Sequence, residues 1–125
     1  MRRILPVALT ALLCVPLGAH ATPLCGAMGE IAATAAYLRQ TGAPQATAAQ
    51  EGARLIEQVV NAPEARRHLT SMERHQLAQG MAGMARDVIQ MVYSIPPETR
   101  REEKAAAVLA AQVWVEQSCM AMRPM

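Results

Sequence analysis

Thr70-Ser71-Met72-Glu73-Arg74-His75 opens a helix and Ser94-Ile95-Pro96-Pro97 closes it, so the segment between them has two readable ends. Thr70 and Glu73 stand at the spacing of a capping box, in which a hydroxyl and a carboxylate three residues later satisfy each other's free amides. Within the segment Leu77, Met81, Met84, Val88, Met91 and Val92 recur at three- and four-residue steps, the period of a helix with one apolar face. Pro96 disfavours the helical conformation at Ile95 and lacks an amide donor, so the chain turns there. Gly80 and Gly83 each weaken a helix by up to about 1 kcal/mol relative to alanine. Beside Met81 and Met84 they predict a tight helix crossing.

Working outward, Thr99-Arg100-Arg101-Glu102 has the spacing of a second capping box. It predicts a last helix carrying Ala106, Leu109, Val113 and Val115 down to Cys119, with Trp114 sealing the edge of the core. On the N-terminal side, a helix is expected from near Pro44, with Ala49, Ala53, Ile56, Val59 and Val60 apolar, until Asn61-Ala62-Pro63 interrupts it. Glu64 to Leu69 add at most one or two turns. The first helix is expected to begin at Thr22-Pro23, to carry Met28, Ile31, Ala32, Ala35 and Leu38, and to stop at Gly42. No segment alternates as a strand does. The short connections favour antiparallel neighbours, so the expected fold is all-α, an antiparallel four-helix bundle in one domain spanning 22–125 with a short flexible C-terminal tail.

Residues 1–21 read as a signal peptide: Arg2 and Arg3 form a basic start, Ile4 to Leu17 an apolar stretch, and Ala19-His20-Ala21 a small-x-small cleavage signal. A membrane-spanning helix needs roughly 20 consecutive apolar residues, and this run is shorter and broken by Pro6 and Pro16. Cys14 follows Leu13, whereas a lipidated cysteine normally follows a small residue. The expected location is therefore periplasmic or secreted, with no stable membrane insertion after cleavage.

Cleavage also removes two basic charges. Of the 12 Lys and Arg residues, Arg2 and Arg3 leave with the signal, and the remaining ten balance the 10 Asp and Glu. A formally neutral domain has no surplus of cations for phosphates, which argues against nucleic acid as a partner. Two cysteines remain, Cys25 and Cys119, near the two ends of the domain. In an oxidising compartment such a pair reads as a disulfide, with two buried thiols as the alternative. An up-down-up-down bundle would place both cysteines at one end.

After the signal peptide, three serines, two histidines and no clustered acid pair give no catalytic constellation, so the chain is read as a non-enzyme without a cofactor. His68, Met72 and His75 fall at helical spacing with Glu64, and thioether plus imidazole ligands suit Cu(I). The simpler reading makes the methionines core filler in a protein that has no phenylalanine. The doublets Arg66-Arg67 and Arg100-Arg101 lie beside Glu64, Glu98, Glu102 and Glu103, as solvated helix ends do.

The chain resembles small secreted helical proteins of proteobacteria that carry one disulfide. The resemblance rests on Cys25 early in the first helix, Ala36-Tyr37-Leu38-Arg39-Gln40-Thr41-Gly42 at its end, Val92-Tyr93-Ser94-Ile95-Pro96 after the third, and Cys119 closing the fourth. It implies a helical, disulfide-closed periplasmic protein and brings no catalytic residues with it. Periplasmic immunity proteins and acid-stress chaperones are similar in format alone. The functional expectation is a protein-binding module of interaction, inhibitor or immunity type. The alternatives are periplasmic copper handling through Met72, His75 and His68, and a stress chaperone.

Overall fold

The computed structural model describes residues 22–121, and these form five helices with no strand among the described residues. The signal peptide and its cleavage site lie outside the described residues, as do residues 122–125 of the tail. The helices are α1 (Thr22–Gln40), α2 (Gln45–Val60), α3 (Pro63–His68), α4 (Ser71–Ser94) and α5 (Arg101–Ala121).

Local chemistry sets most of the boundaries. At the end of α1, Gly42 takes φ +89°, a left-handed backbone that glycine adopts without a Cβ penalty, and Pro44 caps α2 immediately afterwards. The capping box of α4 is formed in both directions: the Glu73 amide donates to Thr70 Oγ1 at 3.1 Å, and the Thr70 amide donates to Glu73 Oε1 at 2.8 Å. The second expected box does not form. α5 starts at Arg101, with the Lys104 amide donating to the Arg100 carbonyl, so Thr99 lies before the cap position. The interval between α2 and α4 becomes the short helix α3, with Pro63 in its first turn and Glu64 at its positive end.

α1 is the centre of the packing and lies against α2, α4 and α5. Its buried face, Cys25, Met28, Ile31, Ala32, Ala35 and Ala36, is largely small, which lets three helices approach it together. The sulfurs of Cys25 and Cys119 are at disulfide bonding distance with Cα atoms 5.5 Å apart, so the start of α1 meets the end of α5. At the other end of this pair, Lys104 Nζ donates to the Gln40 carbonyl at 2.9 Å. α5 therefore runs opposite to α1 along its length. α4 is tied to the α1–α2 turn by Tyr93, whose hydroxyl donates to the Ala43 carbonyl at 2.9 Å and whose ring lies 5.4 Å from the Arg39 guanidinium carbon. Arg39 Nε also donates to the Ile95 carbonyl at 3.0 Å.

Several expected core positions are relocated. On α2 the buried set is Ala48, Gly52, Leu55, Ile56 and Val60, while Ala49 and Ala53 are exposed. On α4 the buried residues are Met81, Ala85, Ile89 and Val92, with Met84, Val88 and Met91 at the margin. The close crossing is not at Gly80 or Gly83, where an added Cβ would meet nothing within 4 Å. It occurs at Gly29 of α1, where an added Cβ would lie 3.2 Å from the Gln112 carbonyl oxygen of α5. On α5 only Val115 is buried. Ala106, Leu109 and Val113 face outward, and Trp114 is 55% exposed instead of sealing the core.

Candidate functional site

α5 is a helix with one partner. Because it rests on α1 and approaches α4 only sparsely, the stripe roughly opposite Val115 is left to solvent. Leu109 and Val113 lie one turn apart on that stripe and are 61% and 40% exposed, with Ala106 and Ala110 beside them. Glu102, Leu109 and Glu116 are spaced by seven residues, two helical turns each, so Glu102 lies toward one end of the apolar stripe and Glu116 toward the other, the latter with its carboxylate on the side of α1, where an added Gly26 Cβ would lie 3.7 Å from Oε2. Glu116 is at the edge where α5 meets α1: an added Gly29 Cβ would lie 3.3 Å from the Glu116 Cβ. Partial burial there raises the Glu116 pKa above the usual glutamate value. Of the basic groups at the start of α5, Lys104 donates to the Gln40 carbonyl, Arg100, just before the helix, lies 3.9 Å from Glu103, and Arg101 is exposed with no carboxylate within 4.0 Å among the described residues.

Between α4 and α5 is a groove of about 360 Å³ floored by Met28 and walled by Met84, Val88, Trp114, Val115 and Cys119. The half-exposed tryptophan is one wall of this groove.

A second, longer depression runs between α2 and α4, as two adjoining hollows of about 660 and 260 Å³. Its α2 wall includes Ala49, Ala53, Ile56 and Val60, so the stripe expected from the sequence to face the core is divided: Ile56 and Val60 are buried in the core along the base of this groove, and Ala49 and Ala53 are exposed in it. Its α4 wall is Ala78, Ala82, Ala85 and Ile89. Arg54, Arg74 and Arg86 border it with His75, and Glu57 is the one carboxylate among its lining residues. Arg54 holds Glu51 at 2.7 Å. Arg74 donates to the Leu69 carbonyl at 3.1 Å, and neither Arg74 nor Arg86 has a carboxylate within 4.0 Å among the described residues. No residue of α1 or α5 lines the groove. Two overlapping apolar registers on α2, one at 48, 52, 55 and 59 and the next at 49, 53, 56 and 60, were the available signal that this helix has more apolar width than one neighbour covers.

The proposed copper ligands are distributed differently. His68 ends α3 and its Nε2 lies 3.3 Å from Glu64 Oε2. Leu69 and Thr70 are extended, at φ −125°, ψ 142° and φ −72°, ψ 167°, which breaks the helical register that would align His68 with Met72. Met72 and His75 share α4, with Met72 70% exposed and His75 in the α2–α4 groove. No cluster of three or more His, Cys, Asp and Glu residues able to hold a metal occurs among the described residues. None of the described helices is long and apolar enough to cross a membrane. Comparison with protein-family models, curated proteins and solved structures finds no match.

Proposed function

We propose that this chain is an exported protein-binding module whose recognition surface is the outward face of α5. The observation that carries the reading is the outward stripe of Leu109 and Val113 on a helix that packs against one neighbour, with Trp114 standing beside it. Surface aromatic and aliphatic residues gathered on one rigid helix are the anchors that partner proteins desolvate. Cys25 and Cys119 at disulfide distance fit an oxidising compartment, where the bond would hold the end of α5 against α1 and keep the face in place. The architecture we assign is an antiparallel arrangement of the four long helices, stapled at one end and fully helical.

The test is affinity capture with the oxidised, exported protein beside a Leu109→Arg, Val113→Arg variant of unchanged helicity. A stoichiometric partner retained by the parent and lost by the variant supports the reading. A partner retained equally by both, or no specific partner, removes it.

A further inference from the structure

The same chain carries two uncovered apolar surfaces of opposite electrostatic character, and we infer that the outward face of α5 docks in the α2–α4 groove of a second copy. This inference rests on the reading of α5 as a recognition surface and names its partner. The α5 stripe has Leu109 and Val113 at its middle, with Glu102 and Glu116 toward its ends, and no cation lies within 4.0 Å of either carboxylate among the described residues. The groove has an apolar floor with Arg74 and Arg86 toward its ends, and these arginines also lack a carboxylate partner.

The spacings agree. Glu102 and Glu116 are separated by about 21 Å along α5, and Arg74 and Arg86 by about 18 Å along α4, at about 1.5 Å of rise per residue. Leu109 and Val113 then fall over the middle of the groove. There the walls are Ala53, Ala78 and Ala82, whose small side chains admit a helix at close range. Complementary charge at both ends fixes the register of the incoming helix along the groove.

The groove has no lining residue from α1 or α5, so a chain's own α5 does not fill it. The contact is therefore head-to-tail: each copy offers a helix to one neighbour and a groove to another, and it propagates until a ring closes. A single helix in a groove this long falls in the weak class, below about 1,200 Å² of total buried surface, so association is expected between roughly 10 μM and 1 mM. Because the end contacts are charged, with Arg86 and Glu102 exposed and Arg74 and Glu116 half-buried, added salt shifts the equilibrium toward monomer.

The experiment is sedimentation velocity on the oxidised, exported protein, with a groove variant, Ala82→Arg, and a face variant, Val113→Arg. Both sites are exposed, and circular dichroism verifies that each variant keeps its helices. The parent is expected to grow past dimer with concentration, while each variant alone stays monomeric. An equimolar mixture of the variants should give a two-chain species and nothing larger, because Val113→Arg still offers a groove and Ala82→Arg still offers a helix. A parent that is monomeric throughout, or a mixture that associates no more than its components, overturns the inference. If the chain is monomeric yet loses a captured partner on Leu109→Arg, Val113→Arg substitution, self-association fails while the binding-module reading stands.

Discussion

Gly29→Ala and Gly80→Ala are the same chemical change in two mid-helix positions, and the structure gives them opposite signs. Alanine in place of glycine stabilises an exposed helix by about 0.8–1.0 kcal/mol. At Gly80 an added Cβ meets nothing within 4 Å, so Gly80→Ala is expected to gain about that amount. At Gly29 the Cβ would lie 3.2 Å from the Gln112 carbonyl oxygen and 3.3 Å from the Glu116 Cβ. One of these atoms is backbone and the other is fixed to it, so a side-chain rotation cannot clear them. α5 is also held one turn away at Cys25–Cys119 and at its far end by Lys104 on Gln40. Overpacking costs about 1–3 kcal/mol, which exceeds the propensity gain and leaves a net loss of about 1 kcal/mol. The two variants should therefore differ by about 2 kcal/mol, or roughly 8–16 °C in Tm for a domain of this size. Thermal and urea unfolding followed by circular dichroism measure both. If Gly29→Ala stabilises the protein as much as Gly80→Ala, the close α1–α5 crossing is refuted.

Three further outcomes follow from named contacts. Replacing Cys25 and Cys119 together with alanine opens a 94-residue separation and should cost on the order of 4 kcal/mol by chain entropy, read as a lower urea midpoint relative to the oxidised parent; an unchanged midpoint would remove the staple from the account. Tyr93→Phe deletes the hydroxyl that donates to the Ala43 carbonyl at 2.9 Å and should lower stability by about 1 kcal/mol in the same unfolding assay. Burial raises the Glu116 pKa, so the folded state binds that proton more tightly than the unfolded one. Stability from this group is greatest below the ordinary glutamate pKa and falls as pH rises to the raised value. Glu116→Gln should flatten that slope and stabilise the protein near neutral pH, and an unfolding series that keeps the slope in the variant would assign it to another group.

How much was legible divides by the range of the interactions involved. The Thr70–Glu73 box was readable because its atoms lie within one helical turn, and the same spacing at Thr99–Glu102 misled because α5 begins at Arg101, one residue later than a Thr99 cap would start it. The α2–α4 groove was half legible. Ala49, Ala53, Ile56 and Val60 announced an apolar stripe, yet periodicity identifies a face without naming what covers it. The copper alignment depended on a continuous helix through Leu69 and Thr70, and two extended residues were enough to end it.

The local code by itself determined that the chain is helical and where most helices begin and end, because caps, prolines and Gly42 act over three or four residues. It also placed two cysteines near the ends of the domain. Tertiary structure alone decided which helix is central, and it chose α1, where small residues and Gly29 let three neighbours approach one surface. That choice left α5 with a single partner and turned Leu109 and Val113 to solvent. The physical reason is that amphipathicity measures how much surface a helix would bury, while the distances between backbones decide which of those surfaces another helix can reach.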